Sequence, residues 1–112
     1  MPPRDWRQRF ADILEAVRRI QAYTADLSLE TFAGNQLVVD AVIRNLTVIG
    51  EAARSVPADV EAQHPELPWL EMRGMRNLVV HEYFGVDAAV VWHTVRDDLP
   101  GLVPLLEQAL RA

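Results

Sequence analysis

From position 76 to 83 the chain reads Arg-Asn-Leu-Val-Val-His-Glu-Tyr: an arginine, four residues, a histidine, one residue, a tyrosine. Histidine is the side chain best matched to proton transfer near neutral pH. Arginine makes planar, paired contacts to phosphate and stabilises charge building on a phosphoryl oxygen. Tyrosine donates a hydrogen bond to phosphate, stacks on a base, or accepts a modifying group. RNA carries its own nucleophile, the 2′-hydroxyl. Its cleavage needs only proton transfer and charge stabilisation at phosphorus, without a metal. A set of Arg76, His81 and Tyr83 suits that reaction, and two copies in a dimer would supply both an acid and a base. Each residue also has a plain structural use: His81 against helix-end carbonyls, Arg76 in a surface ion pair, Tyr83 packed beside Phe84.

Composition leaves that cluster to decide the question. A chain of 112 residues buries one core, so residues 1–112 are expected to form a single domain. Half the residues are hydrophobic and about a quarter charged, which indicates a globular rather than a disordered protein. No stretch approaches the roughly 20 apolar residues of a membrane span. The start, Met-Pro-Pro-Arg-Asp-Trp, has no apolar signal core, so a cytoplasmic location is expected. Cysteine is absent, which removes disulfides, thiolate nucleophiles and zinc-thiolate sites together. His64, His81 and His93 lack ligand spacing, and His-Glu-Tyr-Phe is not His-Glu-x-x-His, so no metal or other cofactor is implied. A net charge of −5 argues against a broad electrostatic grip on nucleic acid. The basic side chains are all arginine, however, which leaves room for a small local phosphate site.

The elements that must position the cluster read as helices throughout, with no hairpin signal. The first is expected from Asp5, a good N-cap, to about Thr24, with Trp6, Phe10, Ile13, Leu14, Val17 and Ile20 on one face. Ser28 to Gly34-Asn35 reads as a short helical turn. A long helix from about Gln36 to Ser55 follows, apolar over most of its circumference, which places it centrally, at a subunit interface, or both. Its polar residues Asp40, Arg44, Thr47, Glu51 and Arg54 step by four, three, four and three into one stripe. That stripe is either a solvated face or the wall of a polar cleft. Gly50 in mid-helix costs about 1 kcal/mol relative to alanine, and close approach of another backbone would explain it.

A short helix is expected at 57–63. The helix bearing the cluster is expected from Pro68 to about Tyr83, ended by Gly85. Asp87 reads as the cap of a last helix that Pro100 and Pro104 cause to bend or restart near Leu99. The fold class is therefore all-α: a compact bundle of four main helices plus short ones. On a straight helix Arg76 and His81 are about 140° apart. Either the helix deforms, or Arg76 reaches around, or the two cooperate across a two-fold interface, which Gly74 would help by admitting a second helix.

At Arg76-Asn-Leu-Val-Val-His81-Glu-Tyr83 the sequence resembles the HEPN superfamily, and its closing tyrosine resembles the HepT-like branch. Asp40-Ala-Val-Ile-Arg-Asn-Leu-Thr-Val-Ile-Gly-Glu-Ala-Ala, His64-Pro-Glu-Leu-Pro-Trp, Gly74-Met-Arg-Asn, Phe84-Gly-Val-Asp and Val91-Trp-His-Thr-Val look like that branch too. The likeness covers nearly the whole chain. It implies a helical homodimer with the motifs meeting in an interface cleft, and a toxin-type, metal-independent endoribonuclease acting on RNA. Arg76 and His81 would be catalytic, with Asn77 as the polar residue beside them. It also implies a minimal nucleotidyltransferase antitoxin that transfers AMP onto Tyr83. The Asp40, Arg44 and Glu51 stripe would then orient Arg76 or His81 in the cleft. Two other readings remain open. One is a helical module that binds nucleotide or RNA without cutting it, which the acidic charge mildly favours. The other is a structural subunit of a nucleotidyltransferase complex, with Arg76 and His81 pairing across the dimer.

Overall fold

Helix boundaries fall where side chains can satisfy the unpaired backbone groups of helix ends. The computed structural model describes residues 5–83 and 88–111, with the side chains of residues 78–83 outside that description. Helix α1 spans Trp6–Thr24, and the Asp5 carboxylate accepts from the Arg7 backbone N–H. Helix α2 spans Leu29–Ala33 behind a capping box in which Ser28 and Thr31 satisfy each other's backbone N–H groups. Asn35 caps α3, Gln36–Arg54, by accepting from the Val38 N–H. Helix α4, Ala58–Gln63, starts after Pro57 without a side-chain cap, and α5 spans Trp69–Tyr83. The expected helix stop at Gly85 and cap at Asp87 lie outside the described residues.

The last segment departs from a simple bend. Helix α6, Ala88–His93, runs into a π-helical turn, Thr94–Asp98, closed by the Leu99 N–H donating to the Thr94 carbonyl. The chain then breaks, and α7 restarts at Leu102–Arg111. Pro100 falls in the break and Pro104 in the first turn of α7, where a missing N–H does no harm.

Helix α3 is the central element, packed against α1 on one side and α5 on the other. Phe10, Ile13, Val17 and Ile20 of α1 meet Val42, Leu46 and Ile49 of α3 and Met72 and Met75 of α5 in one core, joined by Val91, Val95, Leu99 and Leu106. Each such side chain contributes about 1.5–3 kcal/mol on burial. The Phe32 and Trp92 rings, 5.1 Å apart, seat α2 on α6. Arg96 lies over Trp92 and donates to the carbonyls of Thr24 and Leu27, tying the π-helical turn to the end of α1. Arg18 pairs with Glu107 at 2.7 Å and Arg7 donates to the Leu110 carbonyl, clasping α7 to α1. The all-α bundle is as the periodicity predicts. Among the described residues no helix is long and apolar enough to cross a membrane.

Gly50 has the reason expected of it. A Cβ there would stand 2.8 Å from both the backbone nitrogen and the Cβ of Arg76, and 3.3 Å from the Arg73 carbonyl oxygen. Helix α5 therefore lies on α3 at the one residue of that turn without a side chain. Gly50→Ala normally stabilises a helix interior by about 1 kcal/mol. Here the obstacle is backbone, which cannot rotate away, and a net loss of about 1–3 kcal/mol is expected. Urea denaturation reads it directly, and a raised midpoint would show that α5 does not lie so close.

Candidate functional site

The polar stripe of α3 runs along the helix between its contacts with α1 and α5, and helix geometry says which element stands on each side. Around α3, Gly50 lies about 80° to one side of the stripe's centre and Val48 about 80° to the other. Gly50 faces α5. Val48, with Asn45 and Arg44, lines a groove shared with Asp12, Glu15, Ala16 and Arg19 of α1. Its volume of about 100 Å³ suits a few waters rather than a nucleotide. The candidate site is thus the other seam, between α3 and α5.

At that seam Arg76 and Glu51 meet. The Arg76 Nε lies 2.9 Å from the Glu51 Oε1, with the two side chains 47% and 53% exposed. Glu51 follows Gly50 in the chain, so the close approach that requires glycine also brings the Arg76 guanidinium within reach of this carboxylate. Arg73, one turn earlier on α5, is paired with Glu61 of α4 and lies near the Trp69 ring. Asn77 is exposed beside Arg76.

The rest of the stripe does not converge on Arg76. Asp40 accepts from the Gln36 side chain at 2.8 Å, and Thr47 donates to the Ile43 carbonyl. Arg44 is exposed on the α1 side of the stripe. Asp40 and Arg44 stand about 16 and 10 Å from Glu51 along the α3 axis. Of the stripe residues Asp40, Arg44 and Glu51, only Glu51 pairs with Arg76 among the described residues. The side chains of His81 and Tyr83 lie outside the described residues. Their backbone continues α5 without a break, so positions 76 and 81 stand about 140° apart around one helix.

Two other polar features have structural work. The His64 ring packs against Phe10 and Trp6, at 5.1 and 5.6 Å, while its carbonyl accepts from the Trp69 indole. His93 pairs with Asp97 one turn on, at the protein surface. Gly74 differs from Gly50, since a Cβ on it would meet nothing within 4 Å. One residue the motif did not single out also stands at the seam. Arg54 is exposed one turn beyond Gly50, and its only signal in the sequence was membership of the stripe.

Comparison with known proteins gives a consistent result. The family model described as ribonuclease HepT-like matches residues 13–109. The chain is 42% identical over 99 residues to a protein of Thermococcus cleftensis named probable ribonuclease HepT, covering 88% of this chain and 90% of that one. It is 38% identical over 111 residues to a Methanocaldococcus jannaschii protein carrying the provisional name RNase MJ0125, covering 99% and 96%. A Caldanaerobacter subterraneus protein provisionally named RNase TTE0752 is 34% identical over 85 residues, 76% of each chain. No solved structure matches.

The exposure of the Arg76–Glu51 pair sets its worth. Water and salt reach it, so a double-mutant cycle with Glu51→Gln and Arg76→Gln should give a coupling of about 0.2–1 kcal/mol. In about 1 M salt, where screening acts within about 3 Å, the coupling should fall towards zero. A coupling of several kcal/mol would mean the pair is buried by something that this single chain lacks.

Proposed function

The chain belongs to the HepT-like ribonuclease family, and on that premise we propose that it is the toxin of a toxin–antitoxin pair, a metal-independent endoribonuclease. The observation that carries the reading is Arg76 itself. It is exposed, positioned by Glu51 at 2.9 Å, and set on a seam closed by Gly50. An arginine held in place yet open to solvent is what a phosphate needs on arrival.

In this reading the Arg76 guanidinium takes a non-bridging oxygen of the scissile phosphate and stabilises its growing charge. One His81 removes the 2′-hydroxyl proton, and that oxygen attacks phosphorus. The bond to the 5′ oxygen breaks, and the departing oxygen takes a proton from a second His81. The products are a 2′,3′-cyclic phosphate and a 5′-hydroxyl, with no proton or electron unaccounted for. The 140° between positions 76 and 81 supports a site built across two copies of the chain, and the open face at Gly74 leaves room for a second helix. Asn77 adds a polar contact beside Arg76. Asp40 and Arg44 extend the polar floor without touching it.

Silencing belongs to the same reading. A minimal nucleotidyltransferase would direct the Tyr83 oxygen at the α-phosphorus of ATP, with loss of pyrophosphate and of the phenolic proton. The added AMP puts bulk and negative charge two residues from His81, where the RNA phosphate must sit. A second reading, a module that holds RNA without cutting it, is favoured by the net charge of −5 and by the engagement of Arg76 with a carboxylate.

Cleavage of a labelled RNA in the presence of a chelator separates the two. Wild type should cut, and Arg76→Ala and His81→Ala should each lose about 10²–10⁴-fold in rate with the melting temperature kept. Glu51→Ala should lower cleavage while the dimer persists. Binding without cleavage by wild type would establish the module instead, and unchanged cleavage by Glu51→Ala would remove its positioning role. For the partner, the intact mass after co-expression with the neighbouring nucleotidyltransferase should show AMP additions that Tyr83→Phe abolishes. Additions that survive this substitution would place the acceptor elsewhere.

A further inference from the structure

Resting on that reading, we propose that Arg54 is a second phosphate-binding residue of the RNA site, holding the backbone one step from the phosphate at Arg76. Arg18, Arg19, Arg73 and Arg76 are each paired with a carboxylate, and Arg96 is spent on backbone carbonyls. The Arg54 side chain is exposed and makes no ion pair or hydrogen bond among the described residues. In a chain of net charge −5, an uncommitted guanidinium beside the candidate site is a local exception to the surrounding field.

Its position is specific. Arg54 lies four residues beyond Gly50, on nearly the same side of α3, with a rise of about 6 Å. Gly50 is where α3 touches the backbone of Arg76. Arg54 and Arg76 therefore border the same seam about one helical turn apart. A strand whose phosphate lies on Arg76 and which runs towards α4 passes over Arg54. Arg73, the next cation in that direction, is already neutralised by Glu61. Arg54 also sits in the last turn of α3, where a cation favours the helix end. That purely structural role would touch stability and not the response of RNA binding to salt.

The test measures single-stranded RNA binding to the full-length protein in a His81→Ala background, so that no substrate is lost, across a range of salt. Removal of one phosphate contact lowers the slope of log affinity against log salt by about 0.7. Arg54→Ala should do this and weaken binding alike for different sequences. Arg54→Lys should restore the slope, and Arg111→Ala, which removes the same charge from α7, should leave it unchanged. In the active protein Arg54→Ala should raise KM with kcat kept. An unchanged slope and KM for Arg54→Ala, with wild type still cutting RNA, overturns this proposal alone. A slope lowered as much by Arg111→Ala overturns it too, in favour of a general charge effect. A wild type that neither binds nor cuts RNA overturns it together with the reading it rests on.

Discussion

The structure depends on one contact, the approach of α5 to the backbone of α3 at Gly50. Most of the core is interchangeable apolar packing, in which Ile, Leu and Met side chains can exchange volume with modest loss. The Gly50 contact has no such tolerance. Any side chain would meet Arg76 at 2.8 Å, and moving α5 outward to relieve it would carry the Arg76 guanidinium away from Glu51. One absent methyl group thus sets both the seating of a helix and the placement of the Arg76 guanidinium beside Glu51. The mid-helix glycine is tolerated in return for that geometry, not for flexibility.

Electrostatics is consistent with the phosphate site proposed at Arg76 in an acidic chain. A protein of net charge −5 gains little from long-range attraction to RNA, and recognition must come from a few well-placed groups. Arginine suits this better than lysine, because its planar fork fits phosphate oxygens and sheds water at lower cost. The Glu51 partner fits the same logic. An exposed pair contributes about 1 kcal/mol at most. It is strong enough to orient Arg76 and weak enough for a doubly coordinated phosphate to displace.

How far all this was legible depends on whether the determinant is local. Asp5, Ser28 and Asn35 act within three residues of themselves, so the starts of α1, α2 and α3 could be read directly. Gly50 announced a close approach, because its cost in a helix needs a reason. What could not be read was the identity of the approaching atoms, or which member of the Asp40-to-Arg54 stripe would meet Arg76. Those follow from where two helices cross, which no spacing within one of them contains. The π-helical turn at Thr94–Asp98 was missed for a related reason. It places Arg96 over Trp92 and onto the end of α1, a tertiary reward with no local mark.

The same distinction bears on Arg76 and His81, the pair proposed to be catalytic. Spacing places Arg76 and His81 together in the sequence, but a helix turns five residues into about 140°. Because α5 runs unbroken from Trp69 to Tyr83, proximity in sequence here works against convergence in space. Groups on different sides of one rigid helix can serve one phosphate only if a long side chain wraps around or a second surface supplies the missing member. Arg76 does not wrap; its Nε is turned to Glu51 on α3. In the proposed reading the second surface is a two-fold copy of this same helix, which repeats both groups with opposite sense. In that proposal the motif is half of a site, and its spacing leaves a single chain incomplete.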